Sequence, residues 1–196
     1  MNLIWQGLFW LVLIWSGWQP FDRATWVLEV FPALLAWAIL FSTRRRFPLT
    51  PLLYVLILLH CIILMVGGKY TYALVPAGDW VSELLGWSRN NYDKLGHLAQ
   101  GFVPAMVARE LFIRLDVVAD KGWRFALITL SVLGISAAYE LIEWWVALLS
   151  EEAAESFLGT QGYVWDTQSD MFMALIGAIT ALLLLGKFHD RQLARR

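Results

Sequence analysis

Long apolar runs alternate with short polar connections along the chain, and the runs approach the length that a membrane demands. A helix rises ~1.5 Å per residue, so crossing ~30 Å of hydrocarbon takes about 20 apolar residues. Six stretches meet or come close to that length: residues 2–18, 26–41, 49–66, 95–115, 125–149 and 170–185. The pattern predicts an all-α polytopic membrane bundle of about six transmembrane helices. The first, second and last stretches are a little short, which suits helices that begin in the interface. The first three runs do not repeat in the last three, so residues 1–196 read as a single integral membrane domain. Residues 1–18 lack the basic leading segment and small-residue cleavage site of a secretory signal, and read as a retained first helix.

The positions of lysine and arginine orient these runs, because basic residues resist translocation. Arg44, Arg45 and Arg46 put the second connection in the cytoplasm. Six spans then place Arg109, Arg114, Lys121, Arg124, Lys187, Arg191, Arg195 and Arg196 on the same side, and leave only Arg23, Lys69, Arg89 and Lys94 outside. An odd number of spans would destroy this asymmetry, so both termini are expected in the cytoplasm. The outer loops then fall around residues 19–25, 67–92 and 150–165. In the second of these, Gly67-Gly68 and Pro76-Ala77-Gly78 read as turns, and residues 80–87 as a short interfacial helix. In the third, Glu151, Glu152 and Glu155 and the turn at residues 159–162 read as a solvated face. Trp144, Trp145 and Trp165 sit where an outer aromatic belt belongs.

Composition strengthens the membrane reading and removes other classes. The chain is 59% hydrophobic and 16% charged, with a mean hydropathy of +0.59, against roughly 45–50% and about 25% for soluble domains. A net charge of −1 supplies no basic field for nucleic acid, so the expected partner is the lipid bilayer. The lone cysteine, Cys61, lies inside an apolar run and excludes an internal disulfide or a cysteine-based zinc cage. It reads as a small buried hydrophobe.

Against that apolar background the ionisable residues of the last three spans stand out. Asp93 and His97 lie i, i+4 at the outer start of the fourth span, Glu140 and Glu143 lie i, i+3 near the outer end of the fifth, and Asp166 and Asp170 lie i, i+4 at the start of the sixth. Counting from the fifth span's start puts Glu140 ~7 Å below the outer face, so all three pairs share one layer about two turns deep. Five carboxylates and an imidazole in low dielectric require neutralisation. The means available are protonation, a basic partner such as Lys94, a water-filled vestibule, or a divalent cation. The oxygen-rich set with one histidine suits Mg²⁺, Mn²⁺, Zn²⁺ or Fe²⁺. Asp93, His97, Glu140, Glu143, Asp166 and Asp170 are the candidate metal ligands, with Glu140 and Glu143 the candidate catalytic groups. The plainer alternatives are that Asp93 and Asp166 are helix N-caps and His97 a hydrogen-bonded interior histidine. Glu29 and His60 reach the same vestibule only if helix packing brings them there and otherwise read as satisfied interior polar groups, and Glu110 reads as an i, i+4 partner of Arg114 at the cytoplasmic interface.

Three blocks carry a resemblance: Asp93-Lys94-Leu95-Gly96-His97 with Gln100-Gly101-Phe102, Tyr139-Glu140-Leu141-Ile142-Glu143-Trp144, and residues 162–171 from Gly162 to Met171. In this order and spacing they resemble the YjdF-like bacterial inner membrane family, over nearly the whole chain. That resemblance implies a multi-pass inner membrane protein and no particular reaction. Asp93, Lys94, His97, Glu140, Asp166 and Asp170 are also similar to the polar pattern of VanZ-like membrane proteins, although Ala174 stands at an asparagine-like place and Gly177 follows it. What the two resemblances share is a membrane-embedded polar site.

The reading that follows is an outward-facing acidic and histidine site, with a divalent cation and a lipid or cell-envelope precursor as substrate. If the protein is an enzyme, the metal activates water and Glu140 or Glu143 serves as general base. The alternatives are a proton- or cation-coupled transporter, in which the same carboxylates titrate, and a structural or assembly subunit whose polar layer specifies helix packing.

Overall fold

The computed structural model describes residues 2–149 and 164–195, and every described element is helical. Seven helices follow in order: α1 (Leu3–Gly17), α2 (Arg23–Thr43), α3 (Pro51–Tyr70), α4 (Pro76–Leu85), α5 (Tyr92–Arg114), α6 (Lys121–Leu149) and α7 (Asp166–Leu193). By length and composition α2, α3, α6 and α7 can cross a membrane. At 15 residues α1 is apolar but only ~22 Å long. α5 is long enough at 23 residues, but its Asp93, Lys94, Arg109, Glu110 and Arg114 dilute its hydropathy. Its polar groups are tolerated at this depth because they turn inward and find partners.

Most helices outrun the apolar stretches that predicted them. α5 begins at Tyr92, α6 at Lys121, and α7 runs from Asp166 to Leu193, because amphipathic turns at the ends continue the backbone ladder after the apolar run stops. The expected interfacial helix is present as α4, one turn earlier than predicted, with Pro76 opening it and Gly86 closing it in the left-handed conformation. The Pro76-Ala77-Gly78 segment is therefore its first turn. Trp80 and Leu84 are exposed on it, as a helix lying in the interface would require. Gly67 and Gly68 are buried inside α3 and make no turn. They are needed for close approach: the Tyr72 ring covers Gly67, and Glu29 and Val30 of α2 pack on Gly68. The expected outer loop with Glu151, Glu152, Glu155 and the turn at residues 159–162 lies outside the described residues.

The apolar core joins α1, α2 and α3 through Trp5, Phe9, Val30, Leu53, Cys61 and Met65. Indole N–H groups fasten these helices, Trp5 donating to the Tyr54 carbonyl at 2.7 Å and Trp37 to Gln6 at 2.8 Å. α5 and α7 approach until backbone meets backbone, Gly101 against Ala174 and Gly177 against Leu98. Small residues permit this in lipid, where association relies on close packing because there is no solvent to escape. That contact sets the α5 polar groups against those of α7.

Candidate functional site

The pairs from α5 and α7 meet at one end of their contact, and Lys94 occupies the middle. Its ammonium lies 2.5 Å from Asp170 Oδ1, 2.8 Å from Asp166 Oδ1 and 3.4 Å from Asp93 Oδ2. Arg89, from the connection before α5, adds a 3.0 Å bond to Asp166. Asp93 and Asp166 lie in first turns and are not N-caps; Asn91 and Trp165 hold those positions without side-chain caps. The carboxylates have instead turned to the cations, which low dielectric favours over an exposed cap.

His97 faces the opposite sides of the same carboxylates. Its Nε2 is 3.3 Å from Asp93 Oδ1 and 3.9 Å from Asp170 Oδ2, while Nδ1 is 3.0 Å from Gln100 Oε1 and 3.8 Å from Glu140 Oε1. With Nδ1–H donated to Gln100, a bare Nε2 lone pair would point at two carboxylate oxygens. Such an arrangement holds together only with positive charge between them, either a proton on Nε2 or a cation. One ligand atom from each of Asp93, His97 and Asp170 can lie within 4.8 Å of the other two. Atoms bound ~2.0–2.2 Å from one ion sit about 3–4 Å apart, so the trio fits a divalent cation after small adjustment. Glu140 Oε1 is buried and has no hydrogen-bond partner among the described residues. An orphaned carboxylate oxygen beside the trio is costly unless something binds it.

From this cluster a cavity of about 770 Å³ extends between α2, α3, α5 and α6. Glu29, Tyr72, Tyr139 and Glu143 join Asp93 and His97 at its polar end, and His60, midway along α3, also lines it. Farther down its walls are apolar, with Ala36, Leu40, Phe47, Val103, Val107 and Leu111 among them. Along α2 the lining runs from Glu29 to Thr43, ~21 Å, longer than the ~15 Å of one leaflet's hydrocarbon. Pro32 of α2 and Pro104 of α5 both line it.

The structure thus brings Asp93, Asp166 and Asp170 together around Lys94, joins Glu140 to them through His97, and puts Glu143 on the cavity wall. One reading needs correction. Glu29 is satisfied, accepting a 3.4 Å bond from the Tyr139 hydroxyl, and it faces the cavity. His60 is not satisfied, since its buried Nε2 has no partner among the described residues. Both belong to the cavity because α2 and α3 turn them toward α5, an orientation that linear spacing does not encode. Sequence reasoning also missed Tyr72. Thr71 and Tyr72 both take left-handed backbone angles, φ 55° and 53°, an uncommon strain for non-glycine residues that is often stored at functional positions. The reversal folds the Tyr72 ring back over Gly67 and Gly96 and into the cavity wall. The double glycine before it was the available signal.

Glu110 does pair with Arg114, at 2.8 Å, at the far end of α5. It also accepts from the Thr50 hydroxyl at 2.7 Å, the Thr50 backbone N–H and His189 Nε2 at 3.0 Å. Arg109 then donates to His189 Nδ1 at 2.9 Å, which fixes the ring as neutral with its proton toward Glu110. This second buried network is fully satisfied and ties α3, α5 and α7 together.

A family model described as "Predicted membrane protein (DUF2238)" matches residues 1–191. The chain belongs to this family. Within 185 aligned residues it is 56% identical to "Inner membrane protein YjdF" of Escherichia coli (strain K12), an alignment that covers 94% of this chain and 88% of that protein. No solved structure matches it. As a DUF2238 protein with several apolar helices, it is a multi-pass inner membrane protein.

Proposed function

We propose that this DUF2238 protein binds a lipid or cell-envelope precursor, with the polar end at the outward-facing cluster and the apolar tail in the cavity between α2 and α5. A divalent cation, Mg²⁺, Mn²⁺, Zn²⁺ or Fe²⁺, is held by Asp93, His97 and Asp170, with Glu140 and Glu143 beside it. The observation that carries this reading is the continuity of one cavity, acidic and histidine-bearing at one end and predominantly apolar along the rest of its length. A solute transporter needs a polar path through the bilayer, whereas an amphiphile needs this division. Lys94 and Asp166 hold the carboxylates in place, and the cation supplies Lewis acidity and an activated water. The unpartnered Glu140 oxygen would be the group placed to hold a proton beside such a cation.

Metal analysis of the purified protein, together with mass spectrometry of co-purified lipid, tests the proposal. One equivalent of a divalent metal is expected, lost in His97→Ala and Asp170→Asn. Lipid should be retained by wild type and lost when Ala36→Trp fills the groove. Metal-free protein that drives cation-dependent uptake in proteoliposomes would establish the transporter instead. Indifference of metal content, lipid retention and cellular phenotype to Glu140→Gln and Asp170→Asn would leave a structural polar layer.

A further inference from the structure

A second cavity, of about 410 Å³, opens between α5, α6 and α7 at the end away from the acidic cluster. Its polar lining is Arg109, Lys121 and Arg124 against a single carboxylate, Asp190, and its apolar lining includes Phe125, Ile128 and Leu182. Arg109 is committed, donating to Asp190 at 2.6 Å and to His189. The other two cations are available: Arg124 donates through Nη1 to the Val118 carbonyl at 3.1 Å, and neither it nor Lys121 forms an ion pair with any described residue. Three cations converge on a cavity whose lining holds one carboxylate, and Lys121 stands at the first turn of α6, whose N-terminus is already capped by Asp120 accepting the Trp123 N–H at 2.8 Å.

The surroundings say what kind of anion fits. Trp123, next to Arg124, is 68% exposed, an interfacial anchor that suits a cavity mouth at headgroup depth. We propose that this cavity binds the phosphate head group of an anionic phospholipid, with Lys121 and Arg124 on the phosphate oxygens and Arg109 behind them. The same basic pocket chemistry between transmembrane helices binds anionic head groups elsewhere. The site is independent of the acidic cluster and of any activity there.

The test is native mass spectrometry and thermal unfolding of full-length protein, with phosphatidylglycerol, phosphatidylcholine or inorganic phosphate added. Phosphatidylglycerol should be retained and raise Tm, phosphatidylcholine should not, and Lys121→Gln/Arg124→Gln should weaken phosphatidylglycerol binding about tenfold or more. Both positions lie at the surface end of α6, so the double variant should keep the lipid-free Tm of wild type. Asp190→Asn, which frees Arg109, should strengthen binding. Equal retention of both lipids, or retention unaltered by the double variant, would overturn the assignment. Stabilisation by inorganic phosphate with none from phosphatidylglycerol would also overturn it, and would assign the pocket to a soluble phosphate.

Discussion

Replacing Gly101 by alanine should unseat the acidic cluster from a distance of two helical turns. A Cβ built at Gly101 collides with the Ala174 carbonyl of α7, and because both partners are backbone, neither can swing aside. Non-bonded carbon contacts settle near 3.5–4.0 Å, so the helices must part by about 1 Å or more. A displacement of that size would carry Lys94 Nζ from 2.5 Å to about 3.5 Å from Asp170 Oδ1, and from 2.8 Å to about 3.8 Å from Asp166 Oδ1. Overpacking of a tight core costs about 1–3 kcal/mol, and weakening charge-assisted bonds adds roughly 1–2 kcal/mol. The total, about 2–5 kcal/mol, corresponds to a Tm lowered by roughly 5–15 °C for a chain of this size. Gly177→Ala, whose Cβ would strike the Leu98 carbonyl, should behave alike. Gly134→Ala supplies the control, since nothing lies within 4 Å of its Cβ. There alanine should be neutral or stabilise by about 0.5–1 kcal/mol through helix propensity. Thermal unfolding in detergent, read by tryptophan fluorescence, measures all three. If Gly101→Ala melts with wild type, the backbone contact between α5 and α7 is not what sets the cluster.

Lys94→Met should lower stability by about 3–5 kcal/mol, because it leaves Asp170 buried without its cation while Asp166 keeps only Arg89 among the described residues; adding Asp170→Asn should restore part of the loss, and thermal melts of the single and double variants check it. Asp22 caps α2 by accepting the Thr25 N–H at 2.7 Å, so Asp22→Ala should cost about 1 kcal/mol. That same bond holds its carboxyl below the ordinary 3.8. A depressed folded value stabilises above the unfolded one, so the difference between wild type and Asp22→Ala should be constant above about pH 5 and shrink only as pH falls below 4. For topology, Ser88→Cys in a Cys61→Ala background should react with an impermeant thiol reagent from outside, and Arg45→Cys only after lysis. Ser156→Cys, outside the described residues, should follow Ser88→Cys; the reverse pattern would reject cytoplasmic termini.

Hydropathy and spacing along the chain determined the helical class, the approximate positions of the helices and the three polar pairs. These are local properties: twenty apolar residues suffice to specify a spanning helix, and i, i+4 spacing places Asp93 and His97 on one face whatever surrounds them. The resemblance carried by the same blocks led to the family, because the residues that define it are contiguous. The rotation of each helix about its own axis was decided only in the tertiary structure, since it depends on which neighbour a face can approach. Gly101 and Gly177 let α5 and α7 touch backbone to backbone, and that contact makes Lys94 the common partner of carboxylates on two helices. Glu29, His60 and Tyr72 became cavity residues by the same route, through helix rotation and a left-handed turn at Thr71 and Tyr72. Glu110 shows both levels at once: its i, i+4 bond to Arg114 was legible in the chain, whereas His189, 79 residues away, met it only when α7 packed against α5.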